Sequence, residues 1–444
     1  MKKFPNAFVI IIIVIFFAWI LTYLIPQGEY QRITDEETGI TRVINDSYQT
    51  TSADRISAFE LLLSIPRGIT GRASTIVLIL LIGGAFFVIE KTGAFTQGLS
   101  GLIQILKGRE VLALIMVSAL FVTAGATIGM QEELIAMIPV LLLFGRSLGY
   151  NSFTVIYMSY GSAVIGSAFS PSNPFAVVIA QREAGIPLLS GSELRLVVLL
   201  ITFVLWVLYL TYYARKNRFK KIPLSTEGDR MRPGSKIILG LTAITFTIVT
   251  YGMIKLDWGF NELSASFFGL GIAAGLIGGL GFNRTGEYFI EGFREMIFAA
   301  ILIGLANSIS LVLKEGTVID TIVYHLFTPL EKLSPAFSGV IMMLAQSILH
   351  FPLPSYSGQA VMTMPILIPI SDLIGLSRQT CVLAYQYGAV LADLFVPTNG
   401  ALMAVIAIAG IPYNKWLKFI LKPLLITLAV GAITIFVAVA IGYQ

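Results

Sequence analysis

Two adjacent carboxylates, Glu132 and Glu133, stand in the middle of an apolar run covering 111–148. Carrying such a charge into hydrocarbon is costly, so an intramembrane carboxylate marks a path for an ion, a proton or a substrate. Neighbours on a helix point in different directions. One of the pair is therefore expected in a site, with Glu133 the candidate, and the other at an aqueous edge. A second polar stretch, 166–174, sets Ser170, Ser172 and Asn173 among prolines within another apolar run. A third, 392–400, repeats that pattern with Thr398 and Asn399. Hydroxyls, amides and unwound carbonyls can hold a cation, and half-helix N-termini favour an anion. The substrate-binding candidates are Gln131, Glu133, Ser172, Asn173, Ser357, Gln359, Thr398 and Asn399. Ser170, Glu132 and Asp393 are the candidates for a coupling ion, sodium or a proton, with the ligands of a sodium ion left open.

The elements that must position these groups are legible as a duplication. At an offset of 226 residues Pro139 falls on Pro365, Gly149 on Gly375, Ala163 and Val164 on Ala389 and Val390, Phe169 on Phe395, Pro171 on Pro397 and Asn173 on Asn399. After a one-residue slip, 184–187 matches 409–412. The run 111–148 is just short of two full crossings and, with its counterpart 336–375, suits a hairpin with a polar tip. Each copy then has a run longer than one crossing (151–183 and 379–409) that prolines must break. Matched broken helices in two halves point to a transporter binding site.

Composition agrees with a polytopic membrane protein. The 444 residues are 56% hydrophobic and 12% charged, too few charges to coat a soluble globule of this size. The net charge of +5 reflects basic residues on one side of a membrane rather than a nucleic-acid surface. Lone Cys381 precludes an internal disulfide, and two histidines, His325 and His350, supply no zinc-type cluster. An enzyme is not expected. The start resembles a signal peptide, but the run at 7–25 is too long for one and reads as an uncleaved first span.

Basic flanks orient the chain with the N-terminus cytoplasmic and the C-terminus outside. The first repeat is expected over 1–213, a basic cytoplasmic linker over 214–236, a connecting span over 237–255 and the second repeat over 256–444. Nine full spans and two hairpins result, with 261–282 and 293–313 hinged at Asn283-Arg284-Thr285. The acidic segment 27–57 lies outside, and the two repeats have opposite orientation.

Gly129-Met-Gln-Glu-Glu133, Ser167-Ala-Phe-Ser-Pro-Ser-Asn-Pro174, the stretch 364–375, Arg378-Gln379, Gln386-Tyr-Gly388 and Pro397-Thr-Asn-Gly400 resemble the YfcC-like family over nearly the whole chain. That family is grouped with C4-dicarboxylate carriers and arginine/ornithine-type antiporters in a broader ion-transporter superfamily. The resemblance implies an all-α polytopic fold of inverted repeats with two re-entrant hairpins and two broken helices. A scaffold domain, commonly a homodimer interface, would carry a transport domain moving as an elevator in the cell membrane. Family members often have Ala at the position of Gln131 and a small residue at that of Asn399, so polar contacts there are particular to this chain.

The resulting expectation is a secondary active transporter of amino acids or small carboxylates, with basic amino acid antiport leading. The residue-level argument is that Glu132, Glu133 and Asp393 face no Lys or Arg within 124–136, 352–366 or 386–405. Sodium- or proton-coupled uptake of a C4-dicarboxylate or another organic anion is the alternative, since helix dipoles and hydroxyls can hold anions without arginine. A channel fits broken repeats less well. Three local expectations complete the reading: Asp393 with Gln386 as an acid/amide pair, Asp372 near Arg378 as a salt bridge, and His350 in interfacial packing.

Overall fold

The structure, a computed structural model, describes residues 5–34, 41–44, 47–105, 109–219, 231–256, 258–329 and 333–443. Within hydrocarbon every backbone N–H and C=O needs a partner from the chain itself, which turns the apolar runs into helices. Helix α1 (Ala7–Leu24) begins where the Asn6 side chain accepts the Val9 N–H. Four short strands follow in the polar segment: β1 (Gly28–Glu29), β2 (Arg32–Thr34), β3 (Thr41–Val43) and β4 (Gln49–Thr50). They pair antiparallel, β1 with β4 and β2 with β3, and are the only strands among the described residues. Helix α2 (Ala58–Thr70) opens with a capping box between Ser57 and Glu60 and lays an amphipathic face on the molecule. After it come α3 (Ala73–Lys91) and α4 (Ala94–Ile105).

The first acidic run forms α5 (Glu110–Ile128) and α6 (Glu133–Ser147), joined by a turn at 129–132. The first broken run consists of α7 (Ser152–Ile156), a π-helical turn at Tyr157–Gly161 and α8 (Ser162–Ala168). An unwound stretch, a second π turn at Pro174–Val178 and α9 (Ile179–Glu183) complete it. Helix α10 (Ser192–Lys216) ends the first half. The expected linker is shorter than 214–236, because α10 runs on to Lys216 and α11 (Pro233–Lys255) begins at a proline. Residues 220–230 between them lie outside the described residues.

The second half contains α12 (Phe260–Ile277), α13 (Gly281–Glu315), α14 (Ile319–Phe327), α15 (Pro335–Leu349), α16 (Tyr356–Leu373), α17 (Arg378–Ala392), α18 (Gly400–Ile408) and α19 (Tyr413–Ala440). The hinge expected at Asn283-Arg284-Thr285 is corrected here. The turn is made by Gly278, Gly279 and Leu280, with Gly279 at φ 79°, and Asn283 lies inside the continuous 35-residue α13. Glycine accommodates the left-handed turn, whereas nothing in Asn-Arg-Thr interrupts a helix. Eight described helices are long and apolar enough to cross a membrane: α1, α3, α5, α10, α11, α12, α13 and α19. The expected nine differ because each broken run divides into pieces shorter than a span, while α5 alone is long enough to be one.

Three apolar clusters result among the described residues. One gathers α3, α11, α12 and the first turns of α13, a second gathers the hairpins, the broken runs, α1, α19 and the rest of α13, and a small third joins α5 and α6 near their turn to Ala163. In the second cluster small residues permit backbone contact, as helix packing in lipid favours. A Cβ on Gly125 of α5 would lie 2.0 Å from the Ala163 carbonyl oxygen on α8, and one on Gly388 of α17 would lie 2.0 Å from that of Met343 on α15.

Candidate functional site

The first residues of α6, α16 and α18 border one cavity of about 380 Å³. Helix α5 stops at Ile128 because Gly129 takes a left-handed conformation, φ 68°. The chain re-enters helix at Glu133, whose Oε2 accepts the Gln131 N–H at 3.1 Å, so this carboxylate is folded back on its own turn. Glu132 precedes it, borders the cavity and forms no ion pair among the described residues. On the second hairpin, Ser355 caps α16 and Ser357 and Gln359 join the wall. At the second break Asn399 caps α18, its Oδ1 accepting the Leu402 N–H at 2.8 Å. The hydroxyl of Thr398, also on the wall, is buried without a hydrogen-bond partner. The facing wall comes from other elements: Arg72 between α2 and α3, and Ile303, Ala306, Asn307 and Ser310 of α13.

On the same wall Asp393 is the centre of a buried network. Its Oδ2 accepts from Gln131 Nε2 at 2.9 Å, and its Oδ1 accepts from Asn399 Nδ2 and faces His350 Nε2 at 2.7 Å. Its backbone oxygen accepts the Tyr160 hydroxyl at 3.2 Å. Gln131 and Asn399, the two departures from the resembled family pattern, thus both donate to one carboxylate. Gln359 Nε2 donates to the Gln346 carbonyl, 2.8 Å, which turns Gln359 Oε1 toward His350 Nδ1 at 2.9 Å. His350 thus links Gln359 to Asp393 through its two ring nitrogens.

Several expectations are relocated by these contacts. Glu132 and Glu133 both border the cavity instead of dividing between site and edge, because the cavity reaches across the start of α6. Of the candidates, Gln131, Glu132, Glu133, Ser357, Gln359, Asp393, Thr398 and Asn399 come together on this cavity. Ser170, Ser172 and Asn173 face the α5 backbone. Ser170 Oγ donates to the Ala126 carbonyl at 2.6 Å and Ser172 Oγ to the same oxygen at 3.4 Å, while Asn173 Nδ2 donates to that of Gly125 at 2.7 Å. Asn173 Oδ1 caps the following turn, accepting from Phe175 and Ala176. Gln386 does not meet Asp393. Its amide donates to the Ser167 and Ser170 carbonyls and accepts from Arg195, a fully buried guanidinium also bound to Ser190, Gln379 and Tyr443. His350 is in the network and not in interfacial packing. Asp372 and Arg378 do form the expected salt bridge, through two contacts of 3.1 and 2.7 Å. The residues missed were Arg72, Asn307 and Tyr160, and of His350 the role. Arg72 had a signal: it precedes an apolar run on the side read as non-cytoplasmic, against the positive-inside bias.

The model of the family described as DcuC, C4-dicarboxylate anaerobic carrier, matches residues 4–440. The chain is 32% identical over 493 residues to a protein of Escherichia coli (strain K12) provisionally named as a basic amino acid antiporter, YfcC, covering 99% of this chain and 97% of that one. It is 29% identical over 501 residues to an uncharacterized protein of Haemophilus influenzae (strain ATCC 51907 / DSM 11121 / KW20 / Rd), again covering 99% of this chain and 97% of that one. Among solved structures the Alcanivorax borkumensis YdaH transporter aligns at a TM-score of 0.45 and 14% identity, covering 99% of each chain. With a family match that runs nearly end to end, the chain belongs to the C4-dicarboxylate anaerobic carrier family, membrane transporters rather than enzymes.

Proposed function

We propose that this protein is a secondary active transporter that exchanges basic amino acids of the arginine/ornithine type across the cell membrane. The observation that carries the reading is the charge of the cavity. Its walls hold three carboxyl groups, Glu132, Glu133 and Asp393, against the one guanidinium of Arg72, an excess of acid over base. A cationic substrate offsets that excess, whereas a dicarboxylate deepens it. The provisional name of the Escherichia coli relative agrees with this choice.

In this proposal the hairpins and broken runs are inverted repeats that form an elevator-type transport domain against a scaffold, with the N-terminus cytoplasmic. The equivalent capping by Asn173 and Asn399, one in each copy, supports the repeat. The second reading, sodium- or proton-coupled C4-dicarboxylate transport, is favoured by Arg72 and by the helix N-termini on the cavity, both of which suit anions. Purified protein in proteoliposomes separates the two. Labelled arginine should enter vesicles preloaded with ornithine far faster than empty ones, and succinate should not compete. Succinate uptake driven by a sodium or proton gradient, with no arginine exchange, would establish the second reading instead.

A further inference from the structure

Arg72 borders the same cavity as Glu132, but no ion pair closes between them. Opposite charges that share a partly dry space attract, so holding them apart requires a frame. The frame on one side is visible. Arg72 follows α2, and its side chain does not cap α3. Instead its Nε donates to Asn307 Oδ1 at 3.4 Å, and Asn307 Nδ2 donates to the Gly68 carbonyl at 3.1 Å. A carbonyl only accepts, so the Gly68 contact sets which way the Asn307 amide is turned and presents its oxygen to Nε. The two terminal nitrogens of Arg72 have no partner among the described residues. A guanidinium held by Nε with that edge free is the geometry that receives a carboxylate through two parallel hydrogen bonds.

We propose that Arg72 is the receiver of the substrate's carboxylate, with Glu132 across the cavity taking the substrate's cationic end. This deepens the reading of the cavity as an amino acid site and rests on it. The ligand class follows from the pair: a molecule with a carboxylate at one end and an ammonium or guanidinium at the other. The cavity, about 380 Å³, is at the small end of the usual range for ligand sites, roughly 300–1,000 Å³, and suits one amino acid. The unpartnered Thr398 hydroxyl offers a further contact to the bound molecule. Arg72 lies between α2 and α3 and Asn307 on α13, while Glu132 stands on a hairpin tip, so the bound substrate adds a bridge between elements that already pack together through α3 with α6 and α13 with α18.

The test compares arginine with agmatine, the same molecule without its carboxylate, and with succinate, by binding to purified wild type, Arg72→Gln and Arg72→Lys. Thermal unfolding of each variant reports folding. Wild type should bind arginine about tenfold or more tighter than agmatine, the scale of a charge-assisted contact. Arg72→Gln should lose that margin by weakening arginine while agmatine stays within about twofold, and Arg72→Lys should recover part of it. Equal weakening of both ligands, no change in either, or no preference for arginine in wild type would overturn the role of Arg72. If wild type binds succinate and not arginine, the amino acid reading fails, yet Arg72→Gln must still weaken succinate for the carboxylate receiver to stand. Binding of none of the three by wild type overturns both.

Discussion

The imidazole of His350 and the carboxylate of Asp393 meet at 2.7 Å, with both side chains closed off from solvent. Removing one member of a buried pair leaves the other charge without compensation, at about 3–5 kcal/mol. His350→Ala should therefore unfold at a markedly lower temperature in detergent, and Asp393→Asn added to it should restore part of the loss. Strictly additive losses in the single and double variants would mean that the two residues do not act as a pair.

Helices α5 and α8 touch backbone to backbone through reciprocal glycines. A Cβ on Gly125 would sit 2.0 Å from the Ala163 oxygen, and one on Gly166 would sit 2.1 Å from that of Val122. Overpacking of this kind costs about 1–3 kcal/mol. Gly125→Ala should lower the thermal midpoint, whereas Gly240→Ala, with nothing within 4 Å, should not. A wild-type midpoint for Gly125→Ala would show that the contact is not close in the folded protein.

Asn173 and Asn399 occupy matched positions with unequal roles. Asn173 caps its helical turn and holds the α5 backbone, so Asn173→Ala should cost about 1 kcal/mol of stability and leave KM near wild type. Asn399 borders the cavity and donates to Asp393, so Asn399→Ala should shift KM as well. Steady-state exchange kinetics on both variants check this, and equal KM shifts would contradict the distinction.

Orientation can be read by cysteine labelling, because the native Cys381 is buried. Ser52 and Asn283 are exposed. A reagent that does not cross membranes should label Ser52→Cys in intact cells and Asn283→Cys only after permeabilisation. The opposite pattern would invert the chain.

What the residue order determines by itself is local and periodic. Apolar runs of span length must become helices in lipid, prolines and glycines must end them, and Asn173 and Asn399 before a helical turn must cap it, whatever the neighbours. The acidic tip at Glu132 and Glu133, and the ion pair of Asp372 with Arg378 six positions away, are legible for the same reason: their partners are close along the chain. The tertiary structure alone decided that Arg72 faces the cavity bordered by Glu132, that His350 reaches Asp393, and that Gln386 turns to Arg195 while Ser170 turns to the Ala126 backbone. Those meetings depend on how helices rotate and approach one another, set by close contacts such as Gly125 on Ala163. A rotation of one helix by a single residue would point each of these side chains elsewhere without changing any local preference.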